Sequence, residues 1–364
     1  MVFEYYLFTF IGIVLLNIIF FIIYGRFGFS KNESLQSTSE PPISVLVYCK
    51  NQAESLKEFI PKLINQNYSN YEIVIVSNHS YDDTIEVFES FEENHDHIKL
   101  VDVENNEAFW GSKKYALTLG VRKAKNNFLL FTSPEVEIID ENWIKSHAFH
   151  FANGVENIFG YTNKVKAKGL SSLIIRFCNF MSSLNQIGLG SIIKPFKTNE
   201  YNFGYTKELF FENNGYTNQV LVPKENNNLL LSKNITTKNS RYIVNNESMV
   251  FSKTIKFKDW FYKKRKNYIA QKKYPFSVKL ILFLFFTTEI LFWTTAITGG
   301  ILFKHPFWFI VIGIRFLIVG IILGKCAFKL KDKNLLYFFP FLELINIWIQ
   351  LIIFTSNLIS KPKY

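Results

Sequence analysis

Apolar and polar positions along the 364-residue chain follow two different rhythms. Residues 5–24 are uncharged throughout, and at about 1.5 Å per helical residue they are long enough to cross a hydrocarbon core of about 30 Å. No basic stretch precedes them and no small-residue cleavage site follows, so they read as a retained anchor rather than a removed leader. Three more long apolar runs, 280–302, 306–324 and 335–359, predict a C-terminal group of membrane helices. Between these blocks the apolar residues come in short bursts. Residues 43–48, 71–76, 98–103 and 127–132 read as buried strands, while 54–65, 82–91 and 113–125 carry helical spacing.

Strands and helices alternating at this interval predict an α/β fold, a mostly parallel, Rossmann-like sheet with helices on both faces. Ligands in such sheets sit beyond the carboxyl ends of the strands. The positions to examine for chemistry are therefore Lys50, Asn51 and Gln52, then 77–81 with Ser77 and Asn78, then 133–137 with Ser133 and Glu135. The expected organisation is an anchor over 1–29, a polar linker over 30–40, the α/β domain over 41–252, a basic amphipathic interface helix over 253–276, and three membrane helices within 277–364.

Composition moves the picture toward lipid, with 48% hydrophobic residues and 39 Phe. A net charge of +11 would suit nucleic acid, so where it lies matters. Residues 253–279 hold ten basic side chains against the single acid Asp259, and 325–333 hold four lysines against Asp332. These clusters supply +9 and +3 and leave the remainder at −1, with no basic surface for DNA or RNA. Both adjoin apolar runs, the pattern of loops kept on the cytoplasmic side, so the expected location is a bacterial inner membrane with the α/β domain in the cytoplasm. Phe257, Trp260, Phe261 and Tyr268 interrupt the first cluster, which suits a helix lying among lipid headgroups or a plain basic flank of the next span. Cys49, Cys178 and Cys326 are too far apart for a disulfide framework or a metal cluster, which fits a reducing compartment.

Each C-terminal apolar run holds one ionisable residue, Glu289, Arg315 or Glu343. Counted by helical rise from the basic ends, all three lie roughly 12–14 Å deep, so they can meet as a charge cluster that staples the helices together or marks a lipid or acceptor pathway.

Five ordered segments carry a further signal. They are Ile-Ser-Val-Leu-Val-Tyr-Cys-Lys-Asn-Gln-Ala-Glu-Ser-Leu at 43–56, Asn-Tyr-Glu-Ile-Val-Ile-Val-Ser-Asn-His-Ser-Tyr-Asp-Asp-Thr at 70–84, and Gly-Ser-Lys-Lys-Tyr-Ala-Leu at 111–117 leading into 124–132. Asn-Phe-Gly-Tyr-Thr-Lys-Glu-Leu-Phe-Phe-Glu-Asn-Asn-Gly-Tyr at 202–216 and Lys-Phe-Lys-Asp-Trp-Phe-Tyr-Lys-Lys-Arg-Lys at 256–266 complete the series. Together, over roughly 41–275, they resemble the family-2 glycosyltransferases of GT-A fold, specifically the membrane-anchored members with one N-terminal and several C-terminal helices.

The resemblance implies a nucleotide-sugar donor, a Mg or Mn ion held by carboxylates against the diphosphate, and an acidic base for the acceptor hydroxyl. The chain departs from it at five places. The family's Glu after the first strand is Gln52, and the paired Asp after the second are Ser77 and Asn78. The Asp-x-Asp metal motif is Ser133-Pro134-Glu135, which makes Glu135 the one candidate metal ligand. The acidic cluster is Glu225-Asn226-Asn227-Asn228, and the Gln-x-x-Arg-Trp region around Arg265 lacks both Gln and Trp. An amide still accepts a hydrogen bond but takes up no proton and binds a hard cation weakly.

Two readings follow. In the preferred one the protein is a degenerate glycosyltransferase that binds nucleotide or glycan weakly and serves as a scaffold for other membrane proteins, with no cofactor expected. Losing carboxylates at four separate loops removes the usual site as a unit. In the other it is an active transferase working on a lipid-linked or polysaccharide acceptor. Lys113, Lys114 and Arg265 then neutralise the diphosphate, and Glu135 or Glu225 acts as base. A purely structural membrane subunit is the third possibility.

Overall fold

The computed structural model describes residues 2–31, 39–104, 113–198, 201–216, 234–253, 255–360 and 362. The chain divides into two units, one made of 32–165 and 194–254, the other of 1–31, 166–193 and 255–363.

The first unit is the α/β domain. β1 (Ile43–Cys49), β2 (Tyr71–Asn78), β3 (Ile98–Val103) and β4 (Phe128–Thr132) run parallel, linked by α2 (Ala53–Ile64), α3 (Thr84–Glu92) and α4 (Lys113–Lys123). These elements match the sequence expectation to within two residues at each end. The sheet continues with β6 (Asn157–Gly160), β8 (Phe203–Thr206) and β9 (Ser240–Ile243) in the order β3-β2-β1-β4-β8-β6-β9, and β8 is antiparallel to both its neighbours. A smaller sheet joins β5 (Val136–Ile138), β10 (Val250–Ser252) and β7 (Thr162–Lys164).

Strand alternation divides the core into two layers. Val45, Val47, Ile73, Ile75 and Leu130 meet α2, α3 and α5 (Trp143–Ala152), while Leu46, Val74, Val76, Leu129 and Phe131 meet α4 and α7 (Lys207–Glu212). At Gly120 the backbone of α4 lies so near β2 that a Cβ would fall 2.5 Å from a methyl of Val76.

One carboxylate ties the amino ends of the parallel strands. Glu72, near the start of β2, accepts from the Ser44 hydroxyl on β1 at 2.6 Å, from Lys99 on β3 at 2.6 Å, and from the Lys125 N–H before β4 at 2.5 Å. Ser44 in turn accepts from the Asn126 N–H at 3.2 Å. Burial alone would raise the carboxyl's pKa, but these donors hold it below its ordinary value of 4.5.

The second unit is helical: α1 (Val2–Gly25) with a 3-10 turn Arg26–Phe29, α6 (Leu170–Gly190), α8 (Phe257–Ala270), α9 (Phe276–Phe303), α10 (Pro306–Lys329) and α11 (Phe339–Ile359) after a second 3-10 turn. Four stretches of it, Val2–Phe29, Phe276–Phe303, Pro306–Lys329 and Lys333–Ile359, are long and apolar enough to cross a membrane. The sequence pattern assigns 166–193 to the α/β domain, whereas α6 packs in the helical unit. Its Ile175 and Cys178 cluster with Trp260 of α8 and with Ile349 and Ile353 of α11, and its Arg176 pairs with Asp332. Gly188 lets α6 touch the backbone of α1, where a Cβ would come within 2.6 Å of the Tyr24 Cα. On α8, Trp260 is buried in that packing, while Phe257 and Tyr262 are exposed.

Among these long apolar helices Arg315 is fully enclosed. It forks onto Glu343, with Nη1 2.8 Å from Oε2 and Nη2 bonded to Oε1, and donates from Nε and Nη2 to Asn17 Oδ1 of α1 at 3.1 and 2.9 Å. Its guanidinium lies over the Phe292 ring at 4.3 Å. Glu289 is equally enclosed, and neither of its oxygens has a hydrogen-bond partner among the described residues.

Two outcomes are expected. Glu72→Gln lowers unfolding free energy by about 2 kcal/mol at neutral pH, the range for hydrogen bonds to a charged group. Because the folded carboxyl's pKa is depressed, this contribution is complete above pH 4.5 and is lost as pH falls through the folded value. The gap between wild type and variant in denaturant titrations should therefore close in acid. Arg315→Met leaves Glu343 buried without its cation and costs about 3–5 kcal/mol, read as a lower thermal midpoint in detergent.

Candidate functional site

In the sheet order, β2 and β3 lie to one side of β1 and β4 to the other. The crevice beyond the carboxyl ends of β1 and β4 is thus the place where this topology opens.

The loops that follow β1 and β2 are locked together. Asn51 sits in the left-handed region at φ 52°, its N–H donates to Ser80 Oγ at 3.1 Å, and its Oδ1 accepts from the Tyr81 N–H at 2.8 Å. Asn tolerates that conformation better than most residues. His79 is also left-handed, at φ 51°. Asp82 receives the first N–H groups of two helices, Ala53 of α2 at 3.0 Å and Thr84 of α3 at 3.3 Å, together with the Thr84 hydroxyl. Desolvation opposes its ionised form, yet these bonds hold its carboxyl below the ordinary 3.8. The Gln52 N–H reaches the Thr84 hydroxyl at 3.2 Å.

Parallel register puts Tyr48 and Asn78 on the face that carries α4. Asn78, 3% exposed, donates its amide to the Tyr48 hydroxyl at 3.0 Å, and Ser77, fully buried, donates to Ser80 Oγ at 3.2 Å. Lys113, the first residue of α4, holds its ammonium 4.7 Å from the Tyr48 ring and 5.6 Å from the Tyr201 ring. The Tyr201 hydroxyl donates to Glu135 Oε2 at 2.5 Å, and the Glu135 N–H reaches Ser133 Oγ at 3.4 Å. Burial pushes the Tyr48 hydroxyl's pKa up; the Asn78 bond opposes this, and the nearby Glu135 charge adds to it.

Asn78, Lys113 and Glu135 thus join through Tyr48 and Tyr201, while Asn51, Gln52 and Ser77 form the adjoining loop network. Lys50 is exposed, and Lys114 is buried on α4. Arg265 commits its guanidinium to the end of α11, donating to the Ser356 carbonyl at 2.9 Å, Asn357 Oδ1 at 3.0 Å, Ser360 Oγ at 3.1 Å and the Ser360 carbonyl. Glu225, Asn226, Asn227 and Asn228 lie outside the described residues. Sequence reasoning missed Tyr48 and Tyr201. Tyr48 carried a usable signal, a polar-tipped side chain one residue from the carboxyl end of an apolar strand.

A divalent ion of the kind the resemblance implies needs several hard oxygens. At the motif position Ser133 and Glu135 offer one hydroxyl and one carboxylate, and the carboxylate is already engaged by Tyr201. No three His, Cys, Asp or Glu side chains gather among the described residues. Those residues by themselves do not fit the group.

Residues 44–173 match the model of glycosyl transferase family 2. This is a family-2 glycosyltransferase domain. It is 30% identical over 99 residues to a poly-beta-1,6-N-acetyl-D-glucosamine synthase of Staphylococcus epidermidis, a match that covers 27% of this chain and 23% of that protein. The enzyme of the same name from Staphylococcus aureus strain COL is 25% identical over 117 residues, covering 32% and 27%. The chain therefore spans about a quarter of the length of these relatives. A mannosyltransferase of Pyrobaculum calidifontis, solved with GDP-Man and Mn2+, superposes at a TM-score of 0.54 with 15% identity, over 95% of this chain and 98% of that one, and shares the GT-A fold.

Removing the shared cap of the family-2 domain should be felt at both helices. Asp82→Ala is expected to cost about 1–2 kcal/mol in chemical unfolding and to speed amide exchange at Ala53 and Thr84 together.

Proposed function

We propose that this protein is a membrane-integral member of the family-2 glycosyltransferase group whose domain binds a nucleotide or glycan and serves as a binding or scaffold subunit of a membrane assembly, without metal-dependent sugar transfer. The observation that carries the reading is that the strand-end polar groups satisfy one another. Asn78 is bonded to Tyr48, Ser77 to Ser80, and Glu135 to Tyr201, where the family scheme uses free carboxylates. An amide takes no proton from an acceptor hydroxyl, and a deleted base costs on the order of 10²–10⁴-fold in rate. The basic clusters at 253–279 and 325–333 favour a cytoplasmic domain at a bacterial inner membrane.

A second reading rests on Lys113. An ammonium held between Tyr48 and Tyr201, with Glu135 beyond, supplies positive charge in the crevice without metal and can face a diphosphate. Under that reading the protein is a transferase. The named activity of the staphylococcal relatives then favours an N-acetylglucosamine donor and a polysaccharide or lipid-linked acceptor.

The purified full chain, titrated with UDP-GlcNAc, GDP-Man and UDP with and without Mg2+ or Mn2+, separates them. The scaffold reading expects weak, metal-independent binding, a further loss of affinity in Lys113→Met, and no release of nucleotide. Saturable, metal-dependent turnover abolished by Glu135→Gln would overturn it. Metal-independent turnover lost in Lys113→Met would establish the second reading.

A further inference from the structure

The outer face of the helical unit carries a groove of about 350 Å³ between α1 and α10, lined by Ile22, Arg26, Phe29, Ile318, Ile321 and Ile322. Its floor is fixed by close packing. A Cβ at Gly25 would fall 2.2 Å from the Ile322 methyl and one at Gly28 2.7 Å from Cys326 Sγ, while Cys326 Sγ also reaches the Gly25 carbonyl at 3.3 Å. The walls are apolar except at Arg26, in the turn that follows α1, and Lys325, one turn beyond Ile321 and Ile322 on the same face of α10, stands at the same end of the bundle. Both are exposed, and neither forms a hydrogen bond or ion pair among the described residues. Their level is set by Lys329, which donates to the Phe27 carbonyl at 3.2 Å and the Ser30 carbonyl at 3.0 Å and so aligns the ends of α1 and α10.

An apolar channel within spanning helices, capped by two unpaired cations where those helices end, is complementary to a hydrocarbon chain that terminates in an anion. We propose that this groove binds one acyl chain of an anionic phospholipid, with its phosphate between Arg26 and Lys325. The groove opens outward along the exposed Ile22 and Ile321, so the second chain would stay in the bilayer. Each basic group near such a headgroup adds affinity, and removing both lowers it roughly tenfold to thirtyfold. The site lies wholly in the helical unit and holds whether or not the domain transfers sugar.

The test uses the full chain purified from vesicles of equal phosphatidylglycerol and phosphatidylcholine, with retained lipid counted by mass spectrometry. Retention of phosphatidylglycerol over phosphatidylcholine is expected, reduced roughly tenfold or more in Arg26→Gln with Lys325→Gln, and unchanged in Lys272→Gln, an exposed cation that does not line the groove. Ile318→Trp, which fills the apolar part and keeps both charges, should also expel the lipid while thermal melting reports an intact fold. Undiminished retention in the double variant would overturn the proposal, as would an equal fall in Lys272→Gln, which marks diffuse attraction. In a second set of vesicles that also contain a polyprenyl phosphate, its preferential retention over phosphatidylglycerol would overturn the proposal as well.

Discussion

The α/β unit hangs on a buried carboxylate at the end of the sheet away from its crevice. Glu72 collects donors from β1, from β3 and from the approach to β4, so four parallel strands that are distant in sequence begin at fixed levels relative to one another. Strands that start in register also end in register, and a slip of one residue would turn Tyr48 and Asn78 away from α4 and toward the opposite layer. The end of the domain that carries the candidate site is therefore positioned from its other end. The helical unit solves the same problem, buried charge needing a partner, with Arg315 held by Glu343 and Asn17 from two other helices.

Much of the architecture was legible because the hydrophobic effect writes itself periodically. Apolar bursts at 43–48 and 71–76 have the length and flanks of fully buried strands, and the long apolar runs have the length of membrane-crossing helices. α6 was not legible as a member of the helical unit. Its spacing of apolar residues is that of any helix with one buried face, and only three-dimensional packing shows that the face meets Trp260, Ile349 and Ile353. Arg176 gave no local hint either, since its partner Asp332 lies 156 residues away.

The crevice was legible to the extent that topology dictates it. The rule that ligands sit beyond strand ends led to Gln52, Ser77, Asn78, Ser133 and Glu135 without any coordinates. What the rule does not give is who pairs with whom. Tyr201 comes from the segment leading into β8 and Lys113 from the start of α4, and their convergence on Tyr48 and Glu135 depends on strand order across the sheet, which no local pattern encodes.

The shared cap at Asp82 has a mechanical consequence. Because one carboxylate receives the leading amides of α2 and α3, and Asn51 is bonded on both sides to the Ser80–Tyr81 turn, the two loops behave as one stiff piece. A guest that displaced one loop would have to carry the other with it. This edge of the crevice is a fixed rim, and whatever enters must match its shape on arrival.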